Sequence, residues 1–243
     1  AAAHEPAFRM TILPLLWYVK SGQSPDVNRY FDTYLAARDR ALHLAMEGSH
    51  YLHHAVPRLV RLFPAAKFVF TVRDPYTWLE SEINQNILTK DALVFSRLER
   101  YRYGRYNRGF SKEESTLKKI RNVYPVAAYL SYWRDHYETV IRHVPGKRLL
   151  IIKTYDIKPQ ANTIADFLNI PRTSIDLAHA HSGANRKKAL QLYPLLDYSY
   201  VRDMVEEYCG PAADSLFPDA AEQLKERYSQ PGAAGPCSVS GVM

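Results

Sequence analysis

Cysteine is scarce in this chain of 243 residues: there are two, Cys209 and Cys237, and the second sits in a tail of small residues. That count excludes a disulfide framework of the kind that staples small secreted domains. Long apolar runs are missing as well. No stretch approaches the roughly 18 consecutive apolar residues of a membrane-crossing helix, so no span is expected. The first residues do not read as a signal peptide, so none is expected in the sequence as it stands. The chain also does not begin with Met, which raises the expectation of a missing N-terminal segment. Internal repeats are absent. His179 and His181 lack cysteine or acidic partners at ligand spacing, so no metal site is expected.

What is present describes a globular chain. Hydrophobic residues make up 47% and charged residues 23%, with a formal net charge of +7. The length favours one domain, assigned to residues 1–228, with a disordered tail over 229–243. The positive balance favours anionic partners: nucleotides, sulfated or phosphorylated ligands, nucleic acid or a membrane face.

The pattern along the chain alternates. "ALHLAMEGS" (41–49) is a candidate strand entering a polar loop, and "HHAVPRLVRLF" (53–63) has helical spacing. "KFVFTV" (67–72) reads as a strand buried on both faces. Asp74-Pro75 then supplies an N-cap and a first helical position. A long amphipathic helix follows over 125–144, stopped by Pro145-Gly146. "RLLIIKTYDI" (148–157) is a second buried strand, and "ANTIADFLNI" (161–170) is helical. This order predicts an α/β fold, a parallel β-sheet flanked by helices. Ligands of such sheets sit at the carboxyl ends of the strands, where Arg73 and Tyr155 fall. The stretch 97–119, rich in Arg and Tyr, breaks the alternation. It reads as a flexible basic insertion, either a solvated charged segment or a lid for an anionic or aromatic acceptor.

The stretch "RDPYTWLES" carries the functional signal. Arg73 ends a strand and Ser81 follows eight residues later on a helix that starts at Asp74-Pro75. A strand-end arginine can hold a phosphate with two parallel N–H donors. On spacing alone, a surface ion pair with Asp74 explains the arginine equally well.

The resemblance is to a known family. Arg73, Asp74, Pro75 and Ser81 resemble the 3'-phosphate-binding motif of the sulfotransferases that use 3'-phosphoadenosine 5'-phosphosulfate (PAPS). "EGSHYLHHAVPRLVRLFPAAKFVFTVRDP", "SYWRDHYETVIRHVPGKRLLIIKTYDI" and "IADFLNIP" look like further segments of that family. The likeness runs from residue 4 to about 190. It implies a P-loop-NTPase-like fold and transfer of a sulfuryl group to a hydroxyl or amine of a carbohydrate or small-molecule acceptor. The family's Gly-Thr-rich phosphosulfate loop does not occur in this sequence, so the first strand-loop-helix unit is expected to be missing.

Site residues follow from the resemblance position by position. Glu5 matches the general base of the carbohydrate-acting branch, and His50 roughly matches the catalytic histidine of the small-molecule branch. Glu5 is favoured over His50, because most of the flanking matches resemble the carbohydrate-acting and bacterial members; against His50, Gly48 stands where the histidine branch has a lysine. Tyr155 matches a tyrosine near the adenine. Arg186 and Lys187, in "SGANRKKA", resemble the basic loop that closes over the 3'-phosphate. His53 and His54 have no match and read as surface or cap residues. Two alternatives stay open: an inactive sulfotransferase-like binding domain, and a nucleic-acid-binding protein suggested by the Arg/Tyr segment. No recognised nucleic-acid module accompanies that segment, so no nucleic-acid partner is expected. The default compartment is cytoplasmic, with a lumenal enzyme freed from its anchor as the alternative.

Overall fold

The computed structural model describes residues 2–22, 24–88, 93–176 and 189–229. They form a mixed α/β protein that is mostly helical. The sheet content is smaller than expected. Among the described residues β1 (Ala2–His4) pairs with β2 (Met46–Gly48), and β3 (Phe68–Val72) pairs with β4 (Leu149–Lys153). The expected strand at 41–49 shrinks to three residues because helix α2 (Pro25–Leu42) extends into it. In β3 only Val72 is fully buried, so this strand is not covered on both faces. The chain divides into two compact units, described in turn.

The first unit comprises Ala1–Phe68, Ala92–Tyr101 and His136–Leu150. Helix α1 (Phe8–Lys20) buries Ile12, Leu15 and Leu16 at the three-to-four-residue spacing of one helix face. Pro14 stands inside it. A proline has no N–H, so the carbonyl of Met10, four residues earlier, loses its helical donor. Tyr34 of α2 donates its hydroxyl to that carbonyl at 2.8 Å. Helix α2 starts on Ser24, whose Oγ accepts from Val27 N, and carries Pro25 at its first position. Phe31 and Leu35, one turn apart, are buried, and Phe31 stacks on Tyr18 at 4.1 Å. A 3-10 turn (His50–Ala55) leads into helix α3 (Val56–Leu62). The last carbonyls of a helix have no partner within it. Here Arg148 takes up that role, donating to the carbonyls of Val60, Phe63 and Ala66 at 3.1, 2.6 and 2.8 Å.

The second unit comprises Val69–Asp91, Arg102–Asp135 and Ile151–Met243. Within it lie helix α4 (Pro75–Leu88), residues 126–135 of α6 (Val126–His143), and helices α7 (Ala161–Leu168), α8 (Tyr198–Leu216) and α9 (Ala220–Ser229). Helix α5 (Leu93–Arg102) ends at its border in sequence. The core joins Leu79 and Ile83 of α4, Tyr129, Leu130 and Tyr132 of α6, and Val201 and Val205 of α8. The Arg/Tyr stretch contributes to this core. Arg102 is buried, pairs with Glu82 at 3.0 Å and lies 4.4 Å from the Tyr132 ring centre, while Tyr103 donates to the same carboxylate at 2.6 Å. Arginine can be buried in this way because its charge is paired and its flat face packs on aromatic rings.

Glu114, 2% exposed, fastens the loop before α6. One carboxylate oxygen accepts from Ser111 N at 2.9 Å and the other from Val126 N, the first residue of α6, at 2.5 Å. Removing a buried acceptor leaves its donors unsatisfied at about 1–3 kcal/mol each. Glu114→Ala is therefore expected to lower unfolding stability by about 2–4 kcal/mol in a denaturant titration, with Glu114→Gln intermediate because it keeps one acceptor oxygen. A change below about 0.5 kcal/mol, the size of a bland surface substitution, would show that these bonds do not hold the loop.

Candidate functional site

Asp74 fixes the start of α4. Its Oδ1 accepts from Thr77 N at 2.8 Å, its Oδ2 bonds the Thr77 hydroxyl, and Pro75 is the first helical residue. A side-chain carboxylate here satisfies a helix N–H that has no partner inside the helix. Asp74 is thereby occupied as a cap rather than as a partner for the neighbouring arginine. Arg73 instead turns along the helix, and its Nε donates to Thr77 Oγ1 at 2.9 Å. No salt bridge to Arg73 occurs among the described residues. Ser81 is exposed one helical turn beyond Thr77. Arg73, Thr77 and Ser81 thus follow one another at four-residue steps along one face, the spacing of helical neighbours. Thr77 was not singled out by sequence. Its position midway between the other two was the available signal.

The backbone of Arg73 is pinned from two sides. Its carbonyl accepts from Trp133 Nε1 at 3.0 Å. The preceding carbonyl, of Val72, accepts from Thr154 Oγ1 at 2.9 Å. Thr154 follows β4 as Arg73 follows β3, so the carboxyl ends of these two strands lie together. Tyr155 comes next, 58% exposed, with Lys153 Nζ 5.9 Å from its ring centre.

Further along α4, Asn84 grips Leu190 from both sides: Nδ2 donates to the Leu190 carbonyl at 2.9 Å, and Leu190 N donates to Oδ1 at 2.8 Å. Glu80 Oε1 also accepts from Leu192 N at 3.3 Å. Leu190 comes three residues after Lys187 in sequence. Arg186, Lys187, His179, His181 and Cys237 lie outside the described residues.

In the first unit the structure joins two residues that the sequence had set against each other. His50 Nδ1 lies 2.5 Å from Glu5 Oε1. Strand pairing brings this about. Ala2, Ala3 and His4 run parallel to Met46, Glu47 and Gly48, and Glu5 N continues the ladder by donating to the Gly48 carbonyl at 2.8 Å. Glu5 then turns in a left-handed conformation, φ 46, on the way to α1. Arg38 holds this turn. Its two terminal nitrogens grip Glu47 at 2.7 Å each, one also reaches the Pro6 carbonyl at 3.2 Å, and Nε donates to Thr11 Oγ1 at 2.9 Å. Burial works against the Arg38 charge, but the Glu47 carboxylate outweighs it and raises the guanidinium's pKa. At Gly48 a Cβ would make only an ordinary 3.5 Å contact with His4, so close packing does not demand the glycine there.

His53 departs from its expected surface position. It is 5% exposed, its Nδ1 lies 3.1 Å from the His50 carbonyl, and its ring stacks on His136 at 4.0 Å. That contact lies inside the 3-10 turn and caps neither the turn nor α3, and the aromatic stack explains the burial. Among the described residues no group of three His, Cys, Asp or Glu is placed to hold a metal ion. Cys209 is buried, and burial pushes its thiol up to about 12, so it stays protonated near neutral pH. Among the described residues no helix is long and apolar enough to cross a membrane.

The stretch that holds β3 and α4 falls within a match to a known family. Residues 49–186 match the sulfotransferase domain, and the chain belongs to that family. The match takes in His50, Arg73, Thr77, Ser81, Tyr155 and Arg186, and leaves Glu5 and Lys187 outside. Among curated proteins, the chain is similar to "Ava biosynthesis cluster protein M" of Aspergillus versicolor, with 28% identity over 130 residues. The aligned part is 51% of this chain and 49% of that protein, so the match spans about half of the relative's length. No solved structure gives a significant match.

Proposed function

We propose that this chain binds 3'-phosphoadenosine 5'-phosphosulfate through Arg73, Thr77 and Ser81, and that it transfers sulfuryl to a hydroxyl or amine of a small-molecule or carbohydrate acceptor. The observation that carries the reading is the Arg73–Thr77–Ser81 face: a guanidinium without a salt bridge among the described residues, with two hydroxyls in line behind it. A forked cation flanked by hydroxyl donors suits a phosphate dianion. The turn from β3 into α4 suits a P-loop-like fold, with residues 1–228 as the sulfotransferase-like region. Tyr155 offers an aromatic face for the adenine, and Arg186 and Lys187 are assigned to the 3'-phosphate on the resemblance alone. When bound, the nucleotide supplies the sulfuryl group. A small-molecule acceptor accords with a relative whose name speaks of a biosynthesis cluster.

For the base, the 2.5 Å contact between His50 and Glu5 favours a cooperative reading over a choice between them. A carboxylate bonded to Nδ1 holds the proton there and leaves Nε2 to accept one. The imidazole is also the more exposed partner, 39% against 23% for the carboxylate. We therefore assign His50 as the base that takes the acceptor's proton and Glu5 as the residue that orients it.

Calorimetric titration with adenosine 3',5'-bisphosphate and with adenosine 5'-monophosphate tests the nucleotide site. The bisphosphate is expected to bind at least about tenfold more tightly, since a charge-assisted bond to the extra phosphate is worth about 1.5–3 kcal/mol. Equal affinities would remove the basis for the proposal. A clear preference without turnover in a sulfate-transfer assay would point to the binding-only alternative.

A further inference from the structure

The turn that carries Glu5 is strained. Glu5 and Ala7 both have left-handed backbones, φ 46 and φ 52, a conformation that residues other than glycine adopt at a cost. Glu5 also precedes Pro6, and the residue before a proline is otherwise steered to extended conformations. Ala7 is the N-cap of α1 and has no side-chain oxygen to close the helix start. A turn of this kind persists only where its surroundings over-determine it.

Those surroundings centre on one guanidinium. Arg38 lies on α2, and its side chain is only 11% exposed. Its bonds run to three segments that meet at the turn: the Pro6 carbonyl, Thr11 Oγ1 in the first turns of α1, and the Glu47 carboxylate of β2. Thr11 passes the hold back to Ala7, whose carbonyl accepts from the Thr11 N–H at 3.0 Å and from its hydroxyl at 3.2 Å. Ala7 is thus fastened on one side through Pro6 and on the other through Thr11. Glu47 is itself fixed, since Ser49 Oγ donates to its Oε1 at 2.8 Å. Because Glu47 engages both terminal nitrogens, the fork is filled by a carboxylate other than Glu5. The Glu5 carboxylate lies against His50 Nδ1 instead.

We propose that Arg38 is a positioning residue: clamped on Glu47, it holds the left-handed Glu5-Pro6-Ala7 turn and thereby keeps the Glu5 carboxylate on His50 Nδ1, leaving Nε2 as the proton acceptor. Arg38 acts through Glu5 and not on the acceptor. Its role in turnover rests on the reading of His50 as the base; its effect on the imidazole does not. An arginine that served only the fold would stabilise the chain and leave the His50 tautomer as it is.

The test is nitrogen-15 NMR of the histidine-labelled chain at about pH 8.5, two units above the ordinary histidine pKa of about 6.5, where the two neutral tautomers are told apart by their ring-nitrogen shifts. In the unaltered chain His50 is expected to carry its proton on Nδ1. Arg38→Met should lower the ratio of the Nδ1–H to the Nε2–H form at least about tenfold, the size of one lost bond to a charged group. The other histidines and the circular dichroism spectrum serve as controls and should not change. Arg38→Lys keeps the charge but cannot fork across Glu47, so it should fall between the two. It also decides the matter if Arg38→Met does not fold. An unchanged ratio in a folded Arg38→Met chain overturns the proposal, as does an Arg38→Lys chain that matches the unaltered one, or an unaltered chain with its His50 proton on Nε2. On a chain that carries a phosphosulfate loop, Arg38→Lys should lower kcat several-fold with KM for the nucleotide within about twofold, the split expected when orientation rather than binding is lost. A tautomer that shifts as expected, in a protein whose loop-bearing form transfers no sulfate, would sink the reading of the base and leave the positioning role of Arg38 standing.

Discussion

Arg73→Ala is expected to weaken binding of adenosine 3',5'-bisphosphate by about 2–4 kcal/mol, roughly 30- to 900-fold, and to leave the 5'-monophosphate almost unaffected. The size follows from what would be lost. Arg73 Nε is engaged by Thr77, which orients the guanidinium along the face that ends at Ser81. Arg73→Lys should recover little, because an ammonium is a point charge and cannot fork across two phosphate oxygens. Removing the side chain leaves its backbone anchors in place, since those run through the Arg73 and Val72 carbonyls. Unfolding temperature should therefore change little, which separates lost binding from lost structure. Parallel losses for both nucleotides would show that Arg73 acts on something other than the 3'-phosphate.

In a sulfate-transfer assay on a chain that carries a phosphosulfate loop, His50→Ala is expected to lower kcat by about 10²–10⁴-fold, the range for loss of a general base. Glu5→Gln should lower kcat less, about tenfold or more, with KM for the nucleotide retained, because it disturbs orientation rather than the base itself. Glu5→Asp keeps the charge and should restore part of the rate. That partial rescue is a readout that a merely structural carboxylate would not give. The opposite order, with Glu5→Gln inactive and His50→Ala mild, would make the carboxylate the base and return the assignment to the one that the sequence favoured.

The Arg73–Ser81 face was legible because all its determinants are local. A strand end, an Asp-Pro cap and helical phase set the relative positions of 73, 77 and 81 within nine residues. The Glu5–His50 contact was not legible, because it depends on the parallel register of Ala2–His4 on Met46–Gly48, and strand pairing at that separation leaves no mark in either short segment. Gly48 weighed against His50 in the sequence reading, yet its carbonyl is the one that steers Glu5 toward the imidazole. His53 was misread for a related reason: what buries it is His136, a stacking partner more than 80 positions away. Within the Arg/Tyr stretch, composition favours solvent, while Arg102 and Tyr103 meet one carboxylate, that of Glu82. Polarity scales assign such residues to the surface because they cannot foresee a shared buried partner.

Arg148 carries a consequence for the order in which the chain acquires structure. It closes the last turn of α3 across 85 residues, through the Phe63 carbonyl, and across 82 and 88 through those of Ala66 and Val60. A ribosome adding about 5–20 residues per second finishes α3 roughly 4–17 s before Arg148 is made. Through that interval the Val60 and Ala66 carbonyls lack this donor, while the Phe63 carbonyl has the local Ala66 N–H at 3.0 Å, so the end of the helix is held less firmly. Arrival of a single guanidinium, just ahead of β4, then tightens it in one step. A ribosome stalled between residues 66 and 148 would hold a nascent chain whose α3 is looser at its C-terminal end, a window in which proteases and chaperones meet a segment that the finished protein closes off.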